Sequence, residues 1–149
     1  MRLRKKGKGS LVSGQEAMRI YRNHIAKKGY TRFDTDSEIG QDKREEYQAK
    51  ISDGEKVLIL FTVNDEVTYR AEVMRIVSSR NRSLCPEPNG QPPYFLKEGQ
   101  YAARAWIKIR NLTPENAIKV KMLKLTKSGD DLQEMFAKQW QCRFYVSLK

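Results

Sequence analysis

The chain has 149 residues and a mass of 17.4 kDa, long enough to bury a core without disulfides or structural metals, and its 39% apolar and 32% charged residues make a polar but globular composition. Twenty-nine basic against eighteen acidic residues give a formal charge of +11 and a pI near 9.7, which points to a polyanionic partner, nucleic acid before a membrane surface. The longest apolar run, Val57–Phe61, is too short to span a bilayer, the basic start lacks a signal-peptide apolar stretch behind it, and Cys85 and Cys142 cannot build a disulfide scaffold, so a reducing, cytoplasmic setting is the expectation.

Residues 1–9 (MRLRKKGKG) read as a basic, flexible arm carrying Arg2, Arg4, Lys5, Lys6 and Lys8, with residues 10–149 as a single domain. Ser13 followed by Glu16 is a capping box, Gly29 stands at a helix C-cap, and Ala17, Met18, Tyr21 and Ile25 recur at helical spacing; the pattern predicts a helix over 14–28, with Lys27 and Lys28 favourable in its last turn. A short extended piece, Tyr30–Phe33, leads into an acidic loop, and 43–50 (KREEYQAK) predicts a further turn or two of helix. Charge follows this layout: residues 1–30 hold nine basic residues against one acidic, whereas 31–56 hold five against eight.

The middle of the chain reads as β. Lys56–Val63, a turn at Asn64-Asp65-Glu66, and Val67–Val77 predict a hairpin, and residues 78–100, rich in proline and polar residues, predict a long loop of the kind that often carries function. Strands are expected at 101–111 and 117–125, then a short helix over 131–139 capped by Ser128 or Asp130, then a last strand over 142–148. The order defines an α+β fold with a twisted antiparallel sheet or small β-barrel flanked by helices.

In the strand 101–111, alternation sends Ala103, Ala105, Ile107 and Ile109 to one face and Arg104, Trp106, Lys108 and Arg110 to the other. An indole among three cations is what a base-stacking, phosphate-neutralising surface requires, although the same indole also suits packing beneath a helix while the cations reach past it to water. Catalytic constellations are thin. Asp34-x-Asp36-x-Glu38 has metal-ligand spacing but reads as a solvated acidic loop, His24 reads as a structural helical histidine, and neither a phosphate-binding P-loop, a nucleophile elbow nor a zinc-deaminase pattern occurs. Neither catalysis nor a cofactor is expected.

Residues 52–76 (SDGEKVLILFTVNDEVTYRAEVMRI), the stretch Tyr47-Gln48-Ala49-Lys50 upstream and residues 99–114 downstream resemble the EVE and YTH branches of the PUA-like superfamily, with Glu55 where that family carries aspartate. The resemblance implies a PUA-like fold and a modified (methylated) base flipped into an aromatic cage beside a basic groove. It places the cage on Phe33, where tryptophan is usual, and on Tyr94 or Phe95; the strand alternation adds Trp106 as a stacking wall and, with the basic arm, assigns the phosphate contacts to Arg104, Lys108, Arg110, Arg2, Arg4, Lys5 and Lys6. It implies DNA before RNA as partner, and a targeting role in a restriction system of the McrB-like kind, with an associated AAA+ motor and nuclease. Three rival readings are a PUA-like RNA binder without a modified-base pocket, a PUA-like ribonuclease acting through a lysine and a tyrosine, and a protein-interaction module.

Overall fold

The computed structural model describes residues 1–3, 13–87, 89–92 and 102–149. In chain order these hold β1 (Arg2–Leu3), α1 (Gly14–Lys28), β2 (Thr31–Thr35), α2 (Gln41–Ser52), β3 (Leu58–Val63), β4 (Glu66–Leu84), β5 (Ala102–Pro114), β6 (Leu123–Leu125), α3 (Leu132–Lys138) and β7 (Val146–Leu148). The fold is α+β. One five-stranded sheet has the order β1-β3-β4-β5-β2, and β6 pairs with β7 in a second sheet. The larger sheet is mixed rather than antiparallel, because β1 runs parallel to β3 with Arg2 opposite Thr62. Among the described residues no helix is long and apolar enough to cross a membrane.

The chain divides into two compact units: unit 1 holds Met1–Ala17, Leu60–Arg70 and Thr113–Lys149, and unit 2 holds Met18–Ile59 and Ala71–Leu112. Unit 1 is built on a cluster of Val67, Val120, Leu123, Leu132 and Phe136, with Leu60, Ile118, Leu125, Phe144 and Val146 packed against it. The hairpin joining β3 to β4 enters it through Asn64 and Asp65, both at positive φ (52° and 63°), as a two-residue turn matched to strand twist demands. The expected strand over 117–125 is broken by a single 3-10 turn, Val120–Met122, so only its last three residues pair. Asp131, one residue beyond the expected cap, accepts a bond from the Glu134 backbone N–H and starts α3.

Arg2, the first cation of the expected basic arm, lies in this unit. Its guanidinium pairs with Asp65 at 2.7 Å, donates to the carbonyls of Gln139 and Phe136, and lies over the Phe136 and Trp140 rings at 4.2 and 4.3 Å. With its side chain only 7% exposed, Arg2 is an interior tie and offers nothing to a phosphate. Arg4, Lys5 and Lys6 lie outside the described residues.

In unit 2, α1 has the expected bounds. Ser13 Oγ accepts from the Glu16 N–H at 3.2 Å, and Gly29, at φ 89°, closes the helix with its N–H on the Ile25 carbonyl. The helix buries Met18 and Tyr21, and the Tyr21 ring meets Phe33 of β2 with centroids 5.3 Å apart. α2 buries nothing and is polar all round; Gln41 and Lys43 bond to Glu45 and Glu46 along its surface, the kind of near-neighbour support an exposed helix needs.

Candidate nucleic-acid interface

β2 and β5 pair antiparallel, with Arg32 opposite Lys108 and Asp34 opposite Trp106, and with Thr31, Phe33 and Thr35 opposite Ile109, Ile107 and Ala105. Period-two alternation therefore gives the two strands one apolar and one polar face. The apolar face carries Phe33, Ala103, Ala105, Ile107 and Ile109, all buried. The polar face carries Arg32, Asp34, Trp106 and Lys108, and Arg104 and Arg110 continue it along β5. The division of β5 into faces is the expected one.

Trp106 departs from its face. It is fully buried, and its indole N–H donates to the Ser83 carbonyl at 3.0 Å. Ser83 belongs to the far end of β4, which continues to Leu84 where a loop from residue 78 was expected, so the indole is buried with its N–H satisfied by a strand rather than lying open at the surface. Phe33, 6% exposed, is likewise packed inside against Tyr21. Tyr94 and Phe95, the other two expected cage walls, lie outside the described residues.

Residues 85–87 and 89–92 lie against the outer edge of β2. The Arg32 N–H donates to the Gly90 carbonyl at 2.7 Å, and the Thr31 hydroxyl donates to the same oxygen at 3.4 Å. Glu87 is the centre of the contact: one carboxylate oxygen pairs with Arg32 Nε at 2.7 Å and the other accepts from the Tyr30 hydroxyl at 2.8 Å. The Arg32 hydrogen bond, helped by Tyr30 and the charge of Lys108, holds the Glu87 carboxyl below its ordinary value. Lys108 Nζ sits 4.0 Å from the centre of the Tyr30 ring, Lys28 Nζ sits 5.0 Å from it, and Lys28 also donates to the Asn89 carbonyl at 2.7 Å. Deeper in, Asp34 accepts from the Tyr21 hydroxyl at 2.8 Å, with the Gln91 amide 3.5 Å away.

The remaining candidates divide. Arg110 is exposed but pairs with Glu72 at 3.0 Å, which its hydrogen bond holds below the usual carboxylate range. Arg104 is exposed, and it shares with Lys27, Arg75 and Arg80 the absence of any ion pair among the described residues. Asp36 pairs with Arg82 at 3.1 Å, and among the described residues no three His, Cys, Asp or Glu side chains gather as metal ligands would. His24 Nδ1 lies 2.7 Å from the Thr31 hydroxyl, where burial and then the neighbouring Lys28 push its pKa down.

The geometry thus brings Arg32, Lys108, Lys28 and Tyr30 together, and sequence reasoning had named only Lys108 among them. Tyr30 and Lys28 flank the end of α1 and Arg32 alternates with Phe33, so their signal was visible; that residues 85–92 would return onto β2 was not. Compared with protein-family models, curated proteins and solved structures, the chain matches none of them.

Proposed function

We propose that this chain is a nucleic-acid-binding module that holds DNA or RNA against the polar face of β2 and β5. What supports the reading is the set of cations on and beside that face: Arg104 is exposed and outside every ion pair among the described residues, while Lys108 and Lys28 both lie over the half-buried Tyr30 ring. Cations already neutralised by carboxylates gain little from a phosphate, whereas free guanidinium groups release counterions on binding. The likeness to EVE and YTH domains adds a finer proposal, a modified base held between aromatic walls, with DNA the preferred carrier and a restriction system the context. Since Phe33 and Trp106 serve the interior, that finer proposal rests on Tyr94 and Phe95.

Fluorescence anisotropy with single- and double-stranded oligonucleotides, plain and methylated, tests both levels. Log affinity should fall with log salt by about 0.9 per duplex phosphate contacted. Arg104→Ala should weaken all sequences alike and lower that slope by about one contact. Tyr94→Ala should reduce only the preference for the methylated base, by about 1–3 kcal/mol. Absence of binding at low salt overturns the module, equal losses on both substrates overturn the cage, and cleaved oligonucleotides in the same samples would favour the ribonuclease reading.

A further inference from the structure

Arg32 is a buried cation with an unfinished set of partners. Its side chain is 7% exposed and its Nε is bound to Glu87, yet its Nη1 atom is buried with no hydrogen-bond partner. A buried donor left unpaired is costly, and a buried guanidinium nitrogen more so. Lys108 stands opposite Arg32 in the strand pairing and its charge acts on Glu87, and Lys28 and Lys108 both lie over the Tyr30 ring whose hydroxyl bonds to Glu87. Arg32, Lys108 and a phenol therefore bear on a single carboxylate, with Lys28 on the same phenol ring. Glu87 covers Arg32 from the solvent side, since its own side chain is 27% exposed against 7% for Arg32.

We propose that Lys28, Arg32 and Lys108 form a binding site for one phosphate of a nucleic-acid backbone, which the chain's own Glu87, held there by Arg32 and the Tyr30 hydroxyl, occupies until nucleic acid displaces it. This rests on the nucleic-acid reading above and assigns it an anchoring phosphate. The exchange conserves charge: a phosphodiester, like the Glu87 carboxylate that uses both its oxygens on Arg32 and Tyr30, brings two terminal oxygens for a guanidinium fork and one negative charge. What favours the phosphate is its attachment to a polyanion, whose neighbouring phosphates meet the further exposed cations and release counterions. The internal carboxylate keeps Arg32 paired in the free protein, which avoids the cost of an isolated buried charge.

The test is to remove the internal occupant. Glu87→Gln should bind a short oligonucleotide roughly threefold to tenfold more tightly than the unaltered chain, because the competent fraction no longer competes with Glu87. Glu55→Gln makes the same charge change at an exposed glutamate and should leave affinity within about twofold. Lys108→Ala, added to Glu87→Gln, should abolish the gain. Tyr30→Phe loosens Glu87 without stranding Arg32 and should shift affinity in the same direction by a smaller factor. Titration with inorganic phosphate, followed by melting temperature and phosphorus NMR, separates the anion chemistry from the polymer: phosphate should stabilise Glu87→Gln more than the unaltered chain. If Glu87→Gln and Tyr30→Phe fold but bind oligonucleotide no more tightly than the unaltered chain, or gain no more than Glu55→Gln, the site is only a structural ion pair. If the unaltered chain binds no oligonucleotide but phosphate stabilises Glu87→Gln, the anion site stands and the nucleic-acid reading falls.

Discussion

Gly90 shows how tightly the strap formed by residues 85–92 is fitted. A methyl group there would lie 2.6 Å from Glu87 Cγ and 3.0 Å from both Arg32 Cγ and Cys85 Sγ, so what limits the position is space. Gly90→Ala should therefore destabilise the protein by about 1–3 kcal/mol through overpacking, read as a lower urea midpoint, with the Glu87 side chain pushed off Arg32. The same carboxylate sets a pH dependence. Its folded pKa is lowered below its ordinary value of 4.5, first by Arg32, so the stability it contributes is complete above about pH 4.5 and is lost as pH falls through the folded pKa. Glu87→Gln should flatten that acid limb in urea unfolding curves taken at a series of pH values. His24 works in the same sense but higher: burial lowers its pKa from 6.5, so the unfolded chain binds the proton first and stability declines as pH drops below about 6.5. His24→Asn, which retains a nitrogen toward Thr31, should remove that step while leaving the acid limb intact.

At the scale of elements, β5 separates what a sequence exposes from what it hides. Its alternation was legible residue by residue, and so were the caps of α1, because Ser13, Gly29 and the small apolar stripe act within a turn or two of chain. The indole's partner was not legible, since its N–H bonds to Ser83 of β4, which the polar run Ser79–Leu84 disguises as loop. Trp106→Ala should cost about 3–5 kcal/mol of stability and leave oligonucleotide affinity of the folded fraction unchanged, measured by anisotropy well below the melting temperature. A loss of affinity at unchanged stability would restore the indole to the binding surface. The candidate site was half legible for the same reason. Arg104 and Lys108 announce themselves by face, whereas Arg32 and Glu87 lie 55 positions apart and are joined only by the tertiary return of the strap onto β2. In 117–125 the alternating lysines imitate a strand, and the 3-10 turn at Val120–Met122 overrides them where Val120 is drawn into the unit 1 cluster.

For the molecule as a whole, basic residues outnumber acidic ones in both units, so total charge explains attraction to a polyanion and gives no location for it. Location comes from which cations remain unneutralised and which side chains converge. Hydrogen exchange with and without bound oligonucleotide should accordingly show added protection around Arg104–Lys108, Arg32 and residues 85–87 and 89–92 in unit 2. The β6–β7 pair and α3 in unit 1 should exchange unchanged. Protection confined to unit 1 would move the binding surface to its exposed lysines and overturn the placement on β2 and β5.

The position of Arg2 has a consequence for the chain as it is made. Its backbone N–H bonds to the Cys142 carbonyl, and its guanidinium bonds to the Phe136 and Gln139 carbonyls, so Arg2 finds these partners only after residues 134 or more positions later have been made. Unit 2 holds no residue after Leu112, whereas unit 1 joins Met1–Ala17 to Thr113–Lys149 around Leu60–Arg70. Vectorial synthesis therefore delivers every residue of the candidate phosphate site well before the clasp at Arg2 can shut. During that interval Arg2 stays solvated, and a nascent chain already able to meet a polyanion still lacks the tie that completes unit 1.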